Sequence, residues 1–177
     1  MVANHVSFFD PDVVATGFWG QISFVIAEWV KNTPLYGSFC VEFESEFVPR
    51  GDETKTNLAI EMITKRTKLI EEGKSQKRPL VIFPAGYCTN GTHTVKYKKG
   101  AFAGLNSCRP VILKYNSSHF SPNTAGISEL SMLTFLWCSF TPTYVDVSVL
   151  PVFTPNEHLY EHGQGKEKWE KYMNAVR

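Results

Sequence analysis

Two short, strongly apolar segments limit the fold of this chain more than any other feature. They are residues 78–84 (RPLVIFP) and 110–115 (PVILKY). Apolar runs of this length are typical of strands that are buried on both faces of a parallel sheet. Because parallel strands need long crossovers, usually helices, to connect them, we predict an α/β fold with a mixed, mostly parallel sheet flanked by helices.

Turn residues and hydrophobic periodicity predict the remaining elements. Asp10 and Pro11 form a good helix start, because a side chain that can cap the helix precedes a proline at its first position. The opening residues MVAN look like the end of a strand. We predict helices over residues 11–31, 53–72, 127–140 and 165–177, and strands over residues 39–48 and 143–153. The apolar positions that share one face of the second helix are Ala59, Met62, Ile63, Leu69 and Ile70.

The composition is that of a globular protein without a strongly charged partner. The 177 residues are 43% hydrophobic and 20% charged, and the net charge of +1 gives no reason to expect nucleic-acid binding. We expect one domain over residues 1–177. Basic residues cluster at 65–68, 74–78 and 96–99, where a solvated helix face or loop is the simplest interpretation.

The cysteines and histidines do not indicate a metal site. Cys40, Cys88, Cys108 and Cys138 form no CxxC pair and have no ligand spacing with the five histidines. We interpret these cysteines as reduced, mostly buried thiols in a chain that faces the cytosol. The sequence therefore predicts no metal ligands.

His5 and Asp10 lie in the segment NHVSFFDP, close to the predicted start of the first helix. Five helical residues would separate them by about 140 degrees, so a shared helix face does not pair them. A loop that leads into the capped helix does, and the carboxylate then fixes the imidazole tautomer and stabilises the imidazolium. The other ring nitrogen is left to take a proton from a substrate hydroxyl. The simpler alternative is a surface histidine beside a helix cap.

Two further segments follow predicted strands. Arg50 comes just after residues 39–48, and a guanidinium there suits a phosphate, which it can bind through two hydrogen bonds. The loop at residues 83–91 (FPAGYCTNG) is tight and polar, and its backbone N–H groups can receive a phosphate or an oxyanion. A surface ion pair and an ordinary turn are the alternatives. Because ligands of α/β sheets bind beyond the carboxyl ends of strands, these segments and residues 5–10 form the candidate site.

Taken together, the segments resemble the motifs of the glycerolipid acyltransferases, in their lysophospholipid (lysophosphatidylcholine-type) acyltransferase branch. NHVSFFD matches the His-x4-Asp motif, FVPRGD the second motif, IFPAGYCTNG the third and PVILKY the fourth, with YKKGAF following the third. VDVSVLPVFTPNEHL is similar to the segment after the catalytic core in lysophosphatidylcholine acyltransferases. The resemblance covers nearly the whole chain, with the motifs in the family's order and spacing.

The resemblance implies a glycerolipid acyltransferase-like fold and transfer of an acyl group from acyl-CoA to the free hydroxyl of a lysophospholipid or acylglycerol phosphate. His5 would be the general base, Asp10 would orient it, and the Gly86 backbone would place the acceptor or stabilise the oxyanion. The substrate-binding positions are Arg50, Ala85, Gly86, Tyr87 and Pro110, and the candidates for phosphates of coenzyme A or of headgroups are Lys96, Lys98 and Lys99. Acyl-CoA is a co-substrate, so no cofactor and no metal are expected.

The resemblance also implies a place in the cell. The expected partners are acyl-CoA, a lysophospholipid and a membrane surface. No run reaches the roughly 18–20 apolar residues of a membrane span, and residues 17–30 and 132–140 suit either a membrane surface or a buried helix. Because the family usually carries membrane-anchoring sequence before the His motif, we expect a domain truncated at both ends. We expect it at the cytosolic face of the endoplasmic reticulum or another internal membrane.

The third motif departs from the family pattern Pro-Glu-Gly-Thr, because Ala85 and Tyr87 replace its glutamate and threonine. A methyl group cannot accept a hydrogen bond, so acceptor binding should weaken by roughly 1.5–3 kcal/mol. Two alternatives stay open, the first because of Ala85 and the second because Cys88 lies in the same loop. Either the chain is a catalytically impaired relative that binds lipid or acyl-CoA without turnover, or Cys88 acts with His5 in thiol-dependent acyl-transfer or hydrolase chemistry.

Overall fold

The computed structural model describes residues 1–34, 36–116, 123 and 144–177. Its strands are β1 (Val2–Ala3), β2 (Ser23–Ala27), β3 (Glu46–Val48), β4 (Leu80–Val81), β5 (Pro110–Asn116) and β6 (Tyr144–Val149). Its helices are α1 (Asp10–Gly17), α2 (Tyr36–Glu42), α3 (Glu53–Glu71), α4 (Glu157–His162) and α5 (Lys168–Val176), with 3₁₀ turns at Glu28–Asn32 and Lys99–Ala101. None of the described helices is long and apolar enough to cross a membrane. The helix predicted over residues 127–140 lies outside the described residues.

The strands form a mixed, mostly parallel sheet, which confirms the predicted fold class. One three-stranded part has the order β3–β2–β4, and the other has the order β1–β5–β6. A parallel bridge between Val2 and Ile82 joins the two parts through β1 and the residue after β4. Among the described strands, β5 and β6 are the only antiparallel pair. The carboxyl ends of β1 to β5 therefore point to one edge of the sheet, where ligands of such folds bind.

The helix predicted over residues 11–31 is wrong beyond its first two turns. α1 ends at Gly17, and Trp19 and Gly20 then adopt left-handed backbone angles, with φ of 53° and 67°. The chain re-enters the sheet as β2, whose aromatic and β-branched residues SFVIA favour a strand. The first two residues of β2 are buried, so burial within the sheet outweighs the helical spacing of the apolar residues.

The strand predicted over residues 39–48 is wrong in its first half. Tyr36–Glu42 forms α2, and Glu46–Val48 alone is a strand. Gly37 lets this helix fit, because a Cβ atom there would lie 2.2 Å from the carbonyl oxygen of Lys31. The alternating glutamates that indicated a strand therefore belong to a helix end, the turn after it and the start of β3.

The long helix α3 confirms the prediction over residues 53–72. Asp52 caps this helix by accepting a hydrogen bond from the N–H of Lys55 at 3.0 Å. The buried residues of α3 are Ala59, Ile63 and Arg66, whereas Met62 is 60% exposed. The predicted apolar face is therefore rotated, because it included Met62 and left out Arg66.

Arg66 corrects the interpretation of residues 65–68 as a solvated basic cluster, because its side chain is only 6% exposed. Its guanidinium donates hydrogen bonds to the carboxylate of Glu46 and the carbonyl of Glu44, both at 2.7 Å. It also donates to the hydroxyl of Ser23 at 2.8 Å and to the carbonyl of Arg78 at 3.0 Å. Arg66 therefore ties α3 to β2, to β3 and to the segment before β4.

Apolar side chains cover both faces of the central strand β1. One cluster of buried residues contains Ala3, Val14, Ile22, Phe24, Val81, Val111 and Leu113. The other contains Val2, Phe102, Cys108, Tyr172 and Met173. Because Val2 and Ala3 are consecutive on a strand, their side chains point to opposite faces of the sheet. The two clusters therefore fix β1, and the loop that follows it, from both sides.

Candidate active site

Four strands bring the chemically interesting residues to the carboxyl edge of the sheet. β1 leads into His5, β3 into Arg50 and β4 into the loop with Gly86, while β5 carries Tyr115 near its end. A cavity of about 250 Å³ at this edge is lined by His5, Arg50 and Gly86, together with Tyr87 and Cys88. The structure therefore brings together side chains from three segments that are far apart in the sequence.

His5 and Asp10 form a direct pair. Nδ1 of His5 lies 2.7 Å from Oδ2 of Asp10, and the Asp10 side chain is fully buried whereas that of His5 is 18% exposed. The ring of Phe83 stacks on the imidazole, with the ring centroids 4.4 Å apart. With Nδ1 engaged by Asp10, Nε2 is the ring nitrogen available to a ligand in the cavity.

The loop before α1 folds around the carboxylate of Asp10. The N–H groups of Val6 and Ser7 donate to Oδ2 at 2.6 and 3.0 Å. The prediction that Asp10 caps the helix is wrong, because Phe9 occupies the N-cap without a side-chain bond and Asp10 is the first helical residue. The carboxylate instead receives the backbone donors of the preceding loop, and this arrangement turns His5 back over Asp10.

Two residues that the sequence analysis missed support the pair formed by His5 and Asp10. The hydroxyl of Tyr115 donates a hydrogen bond to Oδ1 of Asp10. Asn4 accepts from the N–H of Leu113 at 2.7 Å and donates to the carbonyl of Leu113 at 3.0 Å. Asn4 thereby extends the contact between β1 and β5 and holds the backbone just before His5. The available signal was that both residues lie at the carboxyl ends of predicted strands.

The surroundings of His5 favour its protonated form. Burial alone would lower the pKa of His5, but the hydrogen bond with Asp10 and the neighbouring Cys88 act in the opposite direction and raise it to about 9. An imidazolium next to a carboxylate is the state that follows removal of a proton from a ligand. The site therefore stabilises the charge that general-base chemistry would create on His5.

The sulfur of Cys88 lies close to both ring nitrogens of His5. It is 3.6 Å from Nε2 and 3.9 Å from Nδ1 of His5. A sulfur in line with the Nε2–H bond would be much farther from Nδ1 than from Nε2, so the nearly equal distances exclude that alignment. This geometry disfavours a thiolate–imidazolium nucleophile. Cys40 and Cys108 are buried free thiols, as predicted.

Two cationic side chains approach Gly86, which lines the cavity at His5. Nη2 of Arg50 donates to the carbonyl oxygen of Gly86 at 2.7 Å. Gly86 has a φ of 74°, and a Cβ atom there would lie 2.7 Å from Nζ of Lys98. The N–H of Gly86 donates to the carbonyl of Phe83 at 3.0 Å, so in this conformation it is not an oxyanion donor. The role that Gly86 retains is to let Arg50 and Lys98 approach one peptide.

The other predicted substrate-binding positions divide between two cavities. Tyr87 lines the cavity at Arg50 and is 53% exposed. Ala85 is 2% exposed, and together with Pro110, the first residue of β5, it lines a second cavity of about 260 Å³. Ala85 therefore lines a cavity that Arg50 does not line, and His5 lies at the wall of both cavities.

The lysines of the basic segment 96–99 lie in two different places. Lys98 reaches the loop of the candidate site. Nζ of Lys99 lies 5.7 Å from the centroid of the Trp169 ring, and Lys96 lies close enough to Glu170 to act on its charge. Because Trp169 and Glu170 belong to α5, Lys96 and Lys99 face this helix, and the structure does not bring them to His5.

An apolar cavity of about 680 Å³ adjoins the one at His5. The side chains that line both cavities are Phe8, Pro11, Phe24, Ile26, Trp29, Val30 and Tyr36. Part of this wall comes from β2 and the 3₁₀ turn after it, which is the segment predicted as one continuous helix. A large cavity with this lining suits a hydrocarbon chain.

Comparison with known protein families identifies the family to which this chain belongs. The sequence profile described as "Acyltransferase" matches residues 1–114, which extend from β1 into β5. The chain belongs to the acyltransferase family. All four motifs of the glycerolipid acyltransferases lie within or overlap the matched acyltransferase region, so the family resemblance seen in the sequence is confirmed.

Two curated acyltransferases are similar to this chain over most of its length. The chain is 29% identical over 158 residues to lysophosphatidylcholine acyltransferase 1 from Homo sapiens. It is 30% identical over 159 residues to lysophosphatidylcholine acyltransferase from Drosophila melanogaster. These alignments cover 88% and 89% of the chain and 28% of each relative. The chain therefore spans less than a third of the length of these two acyltransferases.

A solved acyltransferase has a similar fold. The crystal structure of the 1-acyl-sn-glycerophosphate (LPA) acyltransferase PlsC from Thermotoga maritima superposes with a TM-score of 0.59 at 17% sequence identity. The match covers 99% of this chain and 61% of that one. At this identity the likeness establishes the fold, and it confirms the expected glycerolipid acyltransferase-like architecture.

Proposed function

We propose that this chain transfers an acyl group from acyl-CoA to the free hydroxyl of a lysophospholipid or an acylglycerol phosphate. The observation that carries the proposal is the pair formed by His5 and the buried Asp10, which faces the same cavity as Arg50. The names of the two lysophosphatidylcholine acyltransferases support this class of acceptor.

His5, Asp10 and the two substrates supply the groups that the reaction needs. Nε2 of His5 takes the proton of the acceptor hydroxyl, and the hydroxyl oxygen attacks the carbonyl carbon of the thioester. The bond between that carbon and the sulfur of coenzyme A breaks, and the proton passes from His5 to the leaving thiolate. Asp10 stabilises the imidazolium between these two steps. The nucleophile is the acceptor's own oxygen, so no acyl-enzyme is formed.

Two features support places for the substrates. Arg50 and Lys98 carry their positive charges to Gly86, where they suit the acceptor phosphate, Arg50 by two parallel hydrogen bonds and Lys98 as a point charge. The apolar cavity of about 680 Å³ suits the acyl chain and adjoins the cavity that contains His5. A thioester bound there would have its carbonyl carbon close to the base.

Exposed aromatic side chains support association with a membrane surface. Trp19 is 90% exposed, Phe39 is 62% exposed and Trp29 is 56% exposed. Phe39 and Trp29 also line the apolar cavity, so a lipid chain could enter from the surface that they form. Tryptophan is favoured where an apolar phase meets water. We place the domain at the cytosolic face of the endoplasmic reticulum or another internal membrane, where acyl-CoA is available.

A two-product assay in detergent micelles tests the proposal. The chain is mixed with acyl-CoA that carries a labelled acyl group, and with lysophosphatidylcholine or lysophosphatidic acid. We expect free coenzyme A and labelled diacyl phospholipid in equal amounts. Labelled fatty acid in place of the phospholipid would identify a hydrolase, and a lack of coenzyme A release with every acceptor would reject transfer by this chain.

The second candidate function is binding of lipid or acyl-CoA without turnover, and Ala85 is the observation that favours it. The position of the family's glutamate holds a methyl group that is 2% exposed beside the second cavity. Acyl-CoA binding by the parent chain without coenzyme A release, together with release by Ala85→Glu, would select this function. Equal turnover by both chains would remove it.

Replacing Arg50 by alanine is expected to affect the acceptor more than the donor. Loss of a hydrogen bond to a charged group costs roughly 1.5–3 kcal/mol, so the KM for the lysophospholipid should rise about 10- to 100-fold with little change in kcat. Steady-state rates at varied lysophospholipid and fixed acyl-CoA measure this rise. Lys55→Ala, at an exposed lysine of a surface ion pair, is the matched control. An equal rise in both KM values would argue against the phosphate role.

The raised pKa of His5 predicts an alkaline optimum for transfer. Because neutral imidazole is the base, kcat/KM is expected to rise about tenfold per pH unit until the pH reaches the pKa of about 9. A pH–rate profile measures this limb, and a midpoint near the ordinary pKa of 6.5 would be inconsistent with the pairing to Asp10.

His5 also makes the free energy of unfolding depend on pH. The pKa of His5 is higher in the folded chain, about 9, than its ordinary value of 6.5. Its contribution to folding is therefore complete below about pH 6.5 and is lost as the pH rises through about 9. Denaturant unfolding across this range should show the loss in the parent and not in His5→Ala.

Replacing Cys88 by serine is expected to lower transfer by no more than about threefold relative to the parent. The sulfur is not in line with the Nε2–H bond of His5, so His5 is not placed to activate it as a nucleophile. Rates of coenzyme A release from Cys88→Ser and Cys88→Ala, measured together, show whether Cys88 acts as a nucleophile. A loss of about 100-fold or more in both variants would establish thiol chemistry.

A further inference from the structure

Both carboxylate oxygens of Asp10 accept hydrogen bonds. Oδ2 lies 2.7 Å from Nδ1 of His5, and it accepts from the N–H groups of Val6 and Ser7 at 2.6 and 3.0 Å. Oδ1 accepts from the hydroxyl of Tyr115. Asp10 is fully buried, so these donors, rather than bulk water, set how much negative charge it presents to His5.

Tyr115 reaches Asp10 because of the order of the sheet. β1 and β5 are parallel neighbours, so His5, just after β1, and Tyr115, near the end of β5, lie at the same edge. Tyr115 is half-buried, and this burial, together with the charge of Asp10, raises the pKa of Tyr115 well above its usual range. Its hydroxyl therefore keeps its proton at ordinary pH and remains a donor.

We propose that Tyr115 is a positioning residue of the candidate site: it holds Oδ1 of Asp10 and disperses part of the carboxylate charge, which limits how strongly Asp10 retains the proton on His5. This inference rests on the proposed function, in which neutral His5 is the base. Tyr115 acts through Asp10 and has no catalytic contact of its own in the proposal.

Loss of the Tyr115 hydroxyl should make His5 hold its proton more strongly. Without this donor the negative charge of Asp10 is shared among fewer hydrogen bonds and attracts the proton on His5 more strongly. The other titratable group at the imidazole is Cys88, in the loop after β4, and the other side chain at the Tyr115 hydroxyl is Ser7. Tyr115→Phe leaves both groups in place, so the change on His5 reports on Asp10.

The test is an NMR titration of His5 in the parent chain and in Tyr115→Phe, in detergent micelles. The imidazole signal is assigned by its absence from His5→Asn. We expect the midpoint of His5 to rise by roughly half to one pH unit. The midpoint of the pH–rate profile should rise with it, so that kcat/KM near neutral pH falls about three- to tenfold. An unchanged or lowered midpoint would overturn the proposal.

Tyr172→Phe is the matched control. Tyr172 is fully buried in the cluster around α5, and its hydroxyl donates to the carbonyl of Asn106 at 2.7 Å. This variant also loses one tyrosine hydrogen bond, so its thermal stability should fall, but the His5 midpoint should stay where it is in the parent. An equal midpoint shift in Tyr172→Phe would identify a general effect of destabilisation and defeat the proposal.

A double-mutant cycle tests the route through Asp10. In an Asp10→Asn background there is no carboxylate, so adding Tyr115→Phe must leave the His5 midpoint unchanged. A further shift in that background would show that Tyr115 acts on His5 by another path.

Site-specific 3-fluorotyrosine at position 115 gives a second test that keeps the ring and the hydroxyl. Fluorine makes the hydroxyl a stronger donor, so the His5 midpoint must fall, opposite to the effect of Tyr115→Phe. The NMR titration needs no turnover. A chain with the expected midpoint shifts but no acyl transfer would therefore support the role of Tyr115 and reject the proposed function.

Discussion

Replacing His5 by alanine is expected to lower kcat/KM for acyl transfer by about 10²- to 10⁴-fold, the usual contribution of a positioned general base. Nδ1 of His5 is engaged by Asp10 at 2.7 Å, so Nε2 is the atom proposed to take the proton of the acceptor hydroxyl. Arg50 is untouched by this change, so the KM for the lysophospholipid should stay within about threefold of the parent value. Initial rates of coenzyme A release at varied lysophospholipid give both quantities.

The matched control for this loss is His158→Ala. His158 is exposed on α4 and stacks on His162, with ring centroids 4.6 Å apart. Transfer by this variant should equal that of the parent. A His5→Ala chain that folds, as judged by its circular dichroism and melting temperature, and keeps more than about a tenth of the parent's kcat/KM would exclude His5 as the base.

Replacing Arg66 by methionine is expected to lower the free energy of unfolding by about 3–5 kcal/mol, the usual cost of removing one partner of a buried ion pair. The guanidinium is 6% exposed and bonds Glu46 at 2.7 Å. The groups that lose the same donor are the carbonyls of Glu44 and Arg78 and the hydroxyl of Ser23. Methionine approximates the length of the side chain but offers none of these donors.

Lys65→Met is the control for Arg66→Met, because Lys65 is the exposed neighbour of Arg66 on α3. Its effect should stay within about 0.5 kcal/mol, and denaturant unfolding of both variants at one pH measures the difference. Nε of Arg66 is a buried atom without a hydrogen-bond partner among the described residues, which favours the lower half of the expected range. A loss in Arg66→Met no larger than that in Lys65→Met would show that the network does not hold the strands together.

The fold class and most of the candidate site could be read from the sequence because their signals are local. Residues 78–84 and 110–115 are apolar runs that indicate β4 and β5 from their composition alone, although β5 is buried on one face only and its Ile112 is 47% exposed. His5 and Asp10 are five positions apart, so one loop is enough to pair them. Arg50 and Gly86 follow strands, and the geometry of a parallel sheet brings such positions to one edge.

The misplaced elements are those that tertiary packing decides. Residues 11–31 have apolar side chains at helical spacing, but the sheet recruits a five-residue strand from their middle. Tyr36–Glu42 becomes a helix because Gly37 can approach a carbonyl that a larger residue could not. No pattern of a few residues encodes either contact.

Tyr115 and Arg66 were missed for a related reason. Tyr115 is 105 positions from Asp10 in the chain, so its contact depends on which strand lies beside β1. Arg66 sits in a basic cluster whose composition indicates solvent, while its neighbours in space are carbonyls and a carboxylate. Both contacts require the strand order and register, which single-sequence periodicity does not supply.

The bridge that joins the two parts of the sheet has a consequence for the stability of the protein. The part that carries His5 and the part that carries Arg50 meet at the bridge between Val2 and Ile82. An acceptor whose hydroxyl lies at His5 and whose phosphate lies at Arg50 would span that join. By mass action, such a ligand stabilises the folded chain as a whole. On the proposed function, a bound lysophospholipid would therefore raise the free energy of unfolding of both parts of the sheet together.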